Sequence, residues 1–326
     1  MGQLESVAFD NHEEEETTVL NGDRSLHGVA SAIREGRVRK ICVLTGAGIS
    51  CNAGIPDFRS PVTGIYNNLE EYHLPTPESM FELAFFRENP AVFYRFMSTI
   101  LPGEYKPTYA HYFLKLLQEK GILLRVYSQN IDGLEKAAGL GDSFLVESHG
   151  SFATASCIEC GEKYPITQLK CDVEEQRIPH CKCGHLVKPD IVFYGESLPL
   201  KYTWMHTADM VSCDMLLILG TSLSVQPFST LIHQVRENVP RVLINNEAVG
   251  PFRFCNLSCC FRDVMIEGDC DEGVKSLCKE LGWEEELESL YRKDHPLPEV
   301  GDPSALLEED DPSALLEEDG DVRRRK

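Results

Sequence analysis

The chain has 326 residues, of which 42% are hydrophobic and 25% are charged, a composition typical of a globular protein with a sizeable core. It contains no run of about 18 apolar residues, so we exclude a membrane-spanning helix, and its first residues lack the basic and apolar stretch of a secretory signal. The net charge of −21 is concentrated towards both ends, which argues against the basic surface of a nucleic-acid-binding protein.

The distribution of charge divides the chain into three segments. Residues 1–24 are acidic and predict a disordered tail, residues 25–293 predict the folded part, and residues 294–326 predict a second acidic, disordered tail. This second tail contains a nine-residue repeat, which starts at Asp302 and again at Asp311. Two copies are too few for a solenoid.

Short apolar runs alternate with helical patterns between residues 25 and 293. Apolar residues at helical spacing predict helices that start near Leu26, Tyr109 and Pro227, and an acidic helix that ends near Arg292. Mostly apolar runs predict buried strands at residues 40–45, 122–127, 215–219 and 241–244. Buried strands that alternate with helices predict an α/β fold, with a parallel sheet covered on both faces.

Two insertions interrupt this alternation. Residues 53–107 are rich in proline and aromatic residues and predict a helical insertion. Residues 151–188 contain Cys157-x2-Cys160 and Cys181-x-Cys183, a spacing typical of a structural zinc site with four thiolate ligands. Cys171 lies between the two pairs and is an alternative ligand. Without a secretion signal we expect the thirteen cysteines to be reduced.

A glycine-rich loop follows the first predicted strand. Gly46-Ala-Gly-Ile-Ser50 suits the binding of a pyrophosphate by backbone N–H groups, although a tight turn would have the same pattern. The usual dehydrogenase pattern is broken, because Cys51 stands where a third glycine belongs. The loop therefore favours a dinucleotide without implying hydride transfer.

The next loop, Gly54-Ile-Pro-Asp-Phe-Arg59, suits a segment that covers a ligand. Phe58 suits the exclusion of water from a reaction, and Arg59 suits a phosphate. A surface loop with an internal ion pair is the alternative interpretation.

Polar residues also follow the later predicted strands. Because the carboxyl ends of parallel strands meet at one edge of the sheet, we expect these residues to converge. They include His149, whose pKa near neutrality suits a general base, and Asp132, for which capping of a helix is the alternative. The remaining members are Gln129, Asn130, Gly220, Thr221, Ser222, Asn245 and Glu247.

Together these motifs resemble the sirtuins, the NAD-dependent protein-lysine deacetylases. They occur in sirtuin order over residues 25–293, including Lys188-Pro-Asp-Ile-Val-Phe-Tyr-Gly-Glu196. Tyr72-His-Leu-Pro75 and Lys106-Pro107 look like the eukaryotic class with cytosolic and mitochondrial members. The resemblance implies an inverted Rossmann-type parallel-sheet domain, with a smaller zinc-binding and helical domain, and a cleft between them for NAD and acyl-lysine.

The resemblance also implies roles for individual residues. His149 and Asn130 would be catalytic, His149 as the general base, and Val192 and Phe193 would pair with the substrate backbone. Cys157, Cys160, Cys181 and Cys183 would bind one structural zinc ion. The residues that would contact NAD are Gly46, Ala47, Gly48, Ile49, Ser50, Asp57, Phe58, Arg59, Gln129, Asn130, Ile131, Asp132, Gly220, Thr221, Ser222, Asn245, Asn246, Glu247 and Cys270.

The implied reaction transfers an acetyl group from a protein lysine to ADP-ribose and releases nicotinamide. Residues 91–101 lack the Tyr-x-x-Arg pair of acidic-acyl specialists, so we expect an apolar acyl pocket. Rival hypotheses are mono-ADP-ribosyl transfer to a protein, a catalytically silent NAD- and zinc-binding scaffold, and a dehydrogenase. We expect acetylated histone or non-histone partners, no nucleic-acid or membrane binding, and a cytoplasmic location, with Arg323-Arg-Arg-Lys326 as a weak nuclear signal.

Overall fold

The computed structural model describes residues 19–56, 72, 74–100, 105–254 and 261–296. Most residues of the two predicted acidic tails lie outside these ranges. Of the first tail, Val19 to Arg24 are described, and Leu20 among them is 1% exposed and packs into the main core. No helix of the described residues is long and apolar enough to cross a membrane.

The main sheet of the described residues is built from the strands β1 (Ile41–Thr45), β2 (Leu123–Ser128), β3 (Leu145–Glu147), β7 (Met215–Leu219), β8 (Arg241–Asn245) and β9 (Asp263–Glu267). These six strands are parallel and lie in the order β3-β2-β1-β7-β8-β9. This is the strand order of a Rossmann fold, in which connections leave the central strand in opposite directions. The predicted parallel α/β sheet is therefore confirmed.

Alternate residues of the central strand face opposite sides of the sheet. Ile41 and Val43 belong to a core with the helices of one side, whereas Cys42 and Leu44 belong to a core on the other side. Both faces are covered, so every residue of β1 is buried, which explains its continuous apolar run. The helices are α1 (Leu26–Arg34), α2 (Leu83–Glu88), α3 (Pro90–Ile100), α4 (Tyr109–Glu119), α5 (Leu134–Ala137), α6 (Ile166–Glu174), α7 (Leu200–Ser212), α8 (Cys270–Leu281) and α9 (Glu284–Arg292).

The helix predicted to start near Pro227 differs in the structure. Residues Phe228–His233 form a short 3-10 helix, in which Phe228, Leu231 and Ile232 are buried against the sheet. The apolar spacing correctly indicates which side faces the core. It does not distinguish an α-helix from the tighter 3-10 helix, which has nearly the same periodicity.

A smaller unit is built from the two insertions. Strands β4 (Gly150–Cys157), β5 (Lys163–Tyr164) and β6 (Val187–Ile191) form an antiparallel sheet in the order β5-β4-β6. A separate core joins this sheet to α2, α3 and α6, and its centre is a group of edge-to-face aromatic rings. These rings are Phe81, Phe86, Phe93 and Phe193.

Candidate active site

The polar loops after β1, β2 and β7 lie side by side. Thr45 is in register with Ser128 of β2 and with Leu219 of β7, so the three strands end at the same level. The backbone continues this alignment beyond the strands, because Gln129 N–H donates to the Thr45 carbonyl at 3.1 Å and Gly46 N–H donates to the Leu219 carbonyl at 3.1 Å. The crevice lies where the strand order reverses, which is where such sheets bind ligands.

Two glycine-containing loops are in direct backbone contact at this crevice. A Cβ atom on Gly48 would lie 2.6 Å from Gly220 Cα, and one on Gly46 would lie 2.7 Å from the Gly220 carbonyl oxygen. Gly220 has φ +58°, a conformation that favours glycine. The Gly46 and Gly48 N–H groups donate to Leu219 and Gly220 carbonyls, so both glycines are needed for this close packing.

A cavity of about 550 Å³ opens between the strand ends and the small unit. Many of the predicted site residues converge on it, and it is also bounded by Phe81, Leu198, Tyr202 and Val225. The predicted residues that line it are Ala47, Gln129, Asn130, Ile131, His149, Val192, Phe193, Gly220, Thr221 and Ser222.

His149 is held in one tautomer by a backbone carbonyl. Its Nδ1 lies 3.1 Å from the Gln129 carbonyl oxygen, which only accepts hydrogen bonds, so Nδ1 carries the proton and Nε2 is left as an acceptor. Burial lowers the pKa of His149, although the bond to Gln129 opposes this shift. The imidazole is therefore neutral at neutral pH and suited to accept a proton.

Asn130 joins the floor of the cavity to the glycine loop. Its side-chain Nδ2 donates to the Gly46 carbonyl at 3.1 Å and to Ser50 Oγ at 3.2 Å. Ser50 in turn donates to Asp132 at 2.7 Å, and Asp132 also accepts from the Leu134 N–H at the start of α5. Asp132 therefore accepts one hydrogen bond from the start of α5 and another from the polar network around Asn130.

The side chain of Gln129 indicates whether a polar ligand fits the cavity. Its Oε1 accepts from Thr221 Oγ1 at 3.3 Å, but its buried Nε2 has no partner among the described residues. An unsatisfied buried donor destabilises a protein unless a ligand or water accepts the bond. A carboxamide-bearing dinucleotide fits this unsatisfied donor and the adjacent glycine loops.

A second polar layer lies beneath the floor and joins Asp132 to two buried residues that the sequence analysis missed, His111 and Glu135. His111, Asp132 and Glu135 place ligand-type atoms within 4.8 Å of one another. Burial raises the pKa of Glu135 to about 7 and lowers that of His111 to about 3. The Thr108 N–H donates to His111 Nδ1 at 3.1 Å. This Thr-x-x-His spacing at the start of a predicted helix is the signal that could have found it.

Some residues predicted to contact NAD lie outside the cavity lining, namely Asn245, Asn246 and Glu247 at the end of β8 and Cys270 in α8. Asn245 donates from its side chain to the Glu247 carbonyl at 2.8 Å, while Asn246 and Glu247 are exposed. Cys270, 5% exposed, begins α8, and its thiol lies 3.6 Å from the Ile244 carbonyl oxygen. Asp57, Phe58 and Arg59 lie outside the described residues.

The four predicted cysteines form one compact cluster. The Sγ atoms of Cys157 and Cys183 lie 3.5 Å apart, and those of Cys160 and Cys181 lie 3.7 Å apart. Ligands 2.3 Å from a tetrahedral zinc ion are separated by about 3.8 Å, so the donor set fits zinc. Cys171 is on α6 and does not belong to the group.

The two cysteine turns have related backbone conformations. The Gly161 N–H donates to the Cys157 carbonyl at 3.1 Å, and the Gly184 N–H donates to the Cys181 carbonyl at 2.8 Å. Both glycines follow the second cysteine of their pair and have positive φ, +70° and +87°. The second turn is one residue shorter, which accounts for its Cys-x-Cys spacing.

Comparison with known proteins agrees with these features. The sequence model of the Sir2 family matches residues 46–227. NAD-dependent protein deacetylase hst2 of Schizosaccharomyces pombe is 49% identical over 276 residues, covering 84% of this chain and 82% of the relative. NAD-dependent protein deacetylase sirtuin-3 of Mus musculus is 48% identical over 83% of this chain and 80% of its own length, and sirtuin-2 of Danio rerio is 44% identical over 84% and 76%. The resemblance seen in the motifs is confirmed: this chain belongs to the Sir2 family.

Proposed function

We infer that this chain is an NAD-dependent protein-lysine deacetylase that transfers the acetyl group to ADP-ribose and releases nicotinamide. The observation that supports this most strongly is the neutral His149 imidazole, with its Nε2 free to accept a proton, in a cavity between the dinucleotide-type strand ends and the small unit. Relatives with 44–49% identity are named NAD-dependent protein deacetylases, which supports the NAD dependence and the deacetylation of proteins.

The residues around the cavity suit NAD, which when bound would supply the ADP-ribose group that accepts the acetyl group, with nicotinamide as the leaving group. We propose that the loop at Gly46–Ser50 holds the pyrophosphate side, that the loop at Gly220–Ser222 holds the adenosine side, and that Gln129 and Asn130 hold the nicotinamide side. The orphaned Gln129 Nε2 supports this assignment, because it needs an acceptor. The end of β8 with Glu247, and Cys270, would hold the adenosine.

We propose that His149 removes a proton from a ribose hydroxyl through Nε2. The carbonyl of Gln129 stabilises the imidazolium that results, because it accepts the Nδ1 proton throughout. Asn130 would keep the glycine loop and Ser50 at a fixed distance from the reacting groups. Asp57, Phe58 and Arg59 would cover the ligand.

Zinc has a structural role in this proposal. Four thiolates complete a tetrahedron and leave no position for a water ligand. The protein substrate carries the acetylated lysine, and its backbone would bind beside Val192 and Phe193 as an added strand. We propose the cytoplasm, with some access to the nucleus, as the location of this protein.

An acetylated peptide assay with and without NAD tests this function. We expect deacetylation only with NAD, and we expect His149→Asn to lower kcat by about 10²–10⁴-fold without loss of zinc or of thermal stability. His233→Asn, at an exposed position on the 3-10 helix, is the matched control and should keep full activity. A mass increase of the target by ADP-ribose, without loss of acetyl, would support ADP-ribosyl transfer and contradict our proposal.

A further inference from the structure

A buried lysine lies beneath the wall of the cavity formed by residues 191–196. Lys188 belongs to β6 and is 6% exposed. Its Nζ lies 2.6 Å from the Ile191 carbonyl oxygen, 3.1 Å from the Pro189 carbonyl oxygen and 3.1 Å from a Glu196 carboxylate oxygen. Because an ammonium group has three N–H donors, these three acceptors match all the donors of the side chain.

Glu196 extends the same network to the backbone of Phe193. The Phe193 N–H donates to Glu196 Oε2 at 2.7 Å, and this oxygen is the one that faces Lys188. The Glu196 N–H donates back to the Phe193 carbonyl at 3.0 Å, which closes a turn that contains Gly195 at φ +94°. The Lys188 ammonium also lies 4.5 Å from the centre of the Phe193 ring. The ion pair therefore fixes both ends of this turn.

The outer side of the wall is bonded to two other parts of the protein. The Val192 N–H donates to the His149 carbonyl at 2.7 Å, and the Tyr194 N–H donates to the Phe81 carbonyl at 2.7 Å. These two bonds and the Lys188–Glu196 pair together hold the backbone of this wall at several points.

A buried ion pair stabilises a fold weakly, because desolvation of the two charges offsets much of their attraction. Desolvation lowers the pKa of Lys188, and the nearby Glu196 carboxylate opposes that shift. An apolar pair of similar size often stabilises a fold equally well. What the charged pair adds here is a directional set of hydrogen bonds to specific backbone atoms.

We propose that Lys188 and Glu196 are positioning residues for the acylated peptide, and that their ion pair holds residues 191–196 in the conformation in which Val192 and Phe193 line the cavity on the side where the peptide would bind. This proposal rests on the proposed function, since it assumes that an acyl-lysine peptide binds along this wall. The contacts of the pair are with the peptide wall, whereas the glycine loops are proposed to bind NAD. The two substrates should therefore respond differently to its loss.

Steady-state kinetics of Lys188→Met, with peptide and NAD varied separately, test this difference. We expect the KM for the acetylated peptide to rise about tenfold, while kcat and the KM for NAD stay within about threefold. Glu196→Gln keeps an acceptor for the Phe193 N–H but removes the charge, so we expect a rise of about threefold. In the double variant the two effects should not add, because the pair acts as one unit.

Lys163→Met is the matched control. Lys163 also forms an ion pair with a residue of β6, because its Nζ lies 2.7 Å from an Asp190 carboxylate oxygen, but its side chain is 72% exposed. The kinetics of the Lys163→Met variant should therefore equal those of the wild type. An unchanged peptide KM in Lys188→Met, or an equal rise in both KM values with a fall in kcat, would overturn the proposal.

If Lys188→Met does not fold, the same two outcomes in Glu196→Gln decide the question. Wild-type protein that fails to deacetylate in the presence of NAD would instead contradict the proposed function. The two failures are therefore distinguishable.

Discussion

The two sheets of this protein are stabilised in different ways. In the parallel sheet, every residue of β1 and β7 is buried between helices, so its stability is spread over a large apolar core. In the antiparallel sheet, β4 has exposed residues and β5 has no buried residue, and its outer turns meet at four sulfur atoms. The stability of the small sheet is therefore concentrated in one metal site and one aromatic cluster.

The two sheets also contribute different parts of the cavity. The parallel sheet contributes backbone in close contact, where even one added methyl group would collide. The small unit contributes the wall at residues 191–196, whose conformation depends on a few polar contacts. We therefore expect that disturbing the small sheet mainly affects the peptide, and that disturbing the parallel sheet mainly affects the dinucleotide.

Removal of zinc should have the largest effect and separate the two sheets most clearly. We expect Cys181→Ser, or a strong chelator, to abolish more than about 99% of the activity, since metal binding supplies much of the folding free energy of such a site. Hydrogen exchange should show loss of protection in β4 to β6, with β1 and β7 still protected. Cys171→Ser, outside the cluster, should behave like the wild type. Full activity in protein shown to be free of zinc would contradict this expectation.

Gly48→Ala tests the parallel sheet. Its Cβ would lie 2.6 Å from Gly220 Cα, and a backbone atom cannot move aside without displacing the loop. We expect a loss of about 1–3 kcal/mol in the free energy of unfolding and an NAD affinity reduced by about tenfold, measured by denaturation and calorimetry. Gly141→Ala is the control, because its φ is −70° and its Cβ would meet nothing closer than 3.4 Å. Equal behaviour of the two variants would show that the close contact is unimportant.

Glu135→Gln should have the smallest effect. It tests the polar layer beneath the floor of the cavity. Burial raises the pKa of Glu135 from 4.5 to about 7, so between these values the folded state holds a proton that the unfolded state releases. The corresponding stabilisation is present at low pH and is lost as the pH rises through about 7.

We therefore expect the variant to gain about 2 kcal/mol relative to the wild type between about pH 5 and pH 8, measured by urea denaturation. Ser128 Oγ can still donate to the amide oxygen, at the site where it now lies 2.5 Å from the carboxylate. The exposed Glu119→Gln is the control. Parallel stability curves for wild type and Glu135→Gln would rule out the shifted pKa.

Much of the fold could be predicted because burial on both faces leaves a continuous apolar run. The run at residues 215–219 is an example, and it matches β7 (Met215–Leu219). Convergence of the polar loops followed from the parallel arrangement alone. Cysteine spacing likewise predicted the cluster, because only a few spacings allow four sulfur atoms around one ion.

Other features depend on side-chain directions that the sequence does not specify. Ser50 and Asp132, which are predicted to contact NAD, also hydrogen-bond to each other, a pairing that the sequence does not indicate. Lys188 stood inside a recognised motif, but a lysine in a strand is usually exposed. Lys188 is buried because β6 packs against the turn at residues 193–196. The roles of the remaining predicted site residues stay predictions.

The hydrogen bond from the Val192 N–H to the His149 carbonyl, 2.7 Å long, links the two functions of the cavity. It joins the backbone of the residue that carries the base to the wall at residues 191–196. A displacement of this wall would therefore also displace the main chain that carries the imidazole. The placement of the peptide and the placement of the base are coupled through one bond.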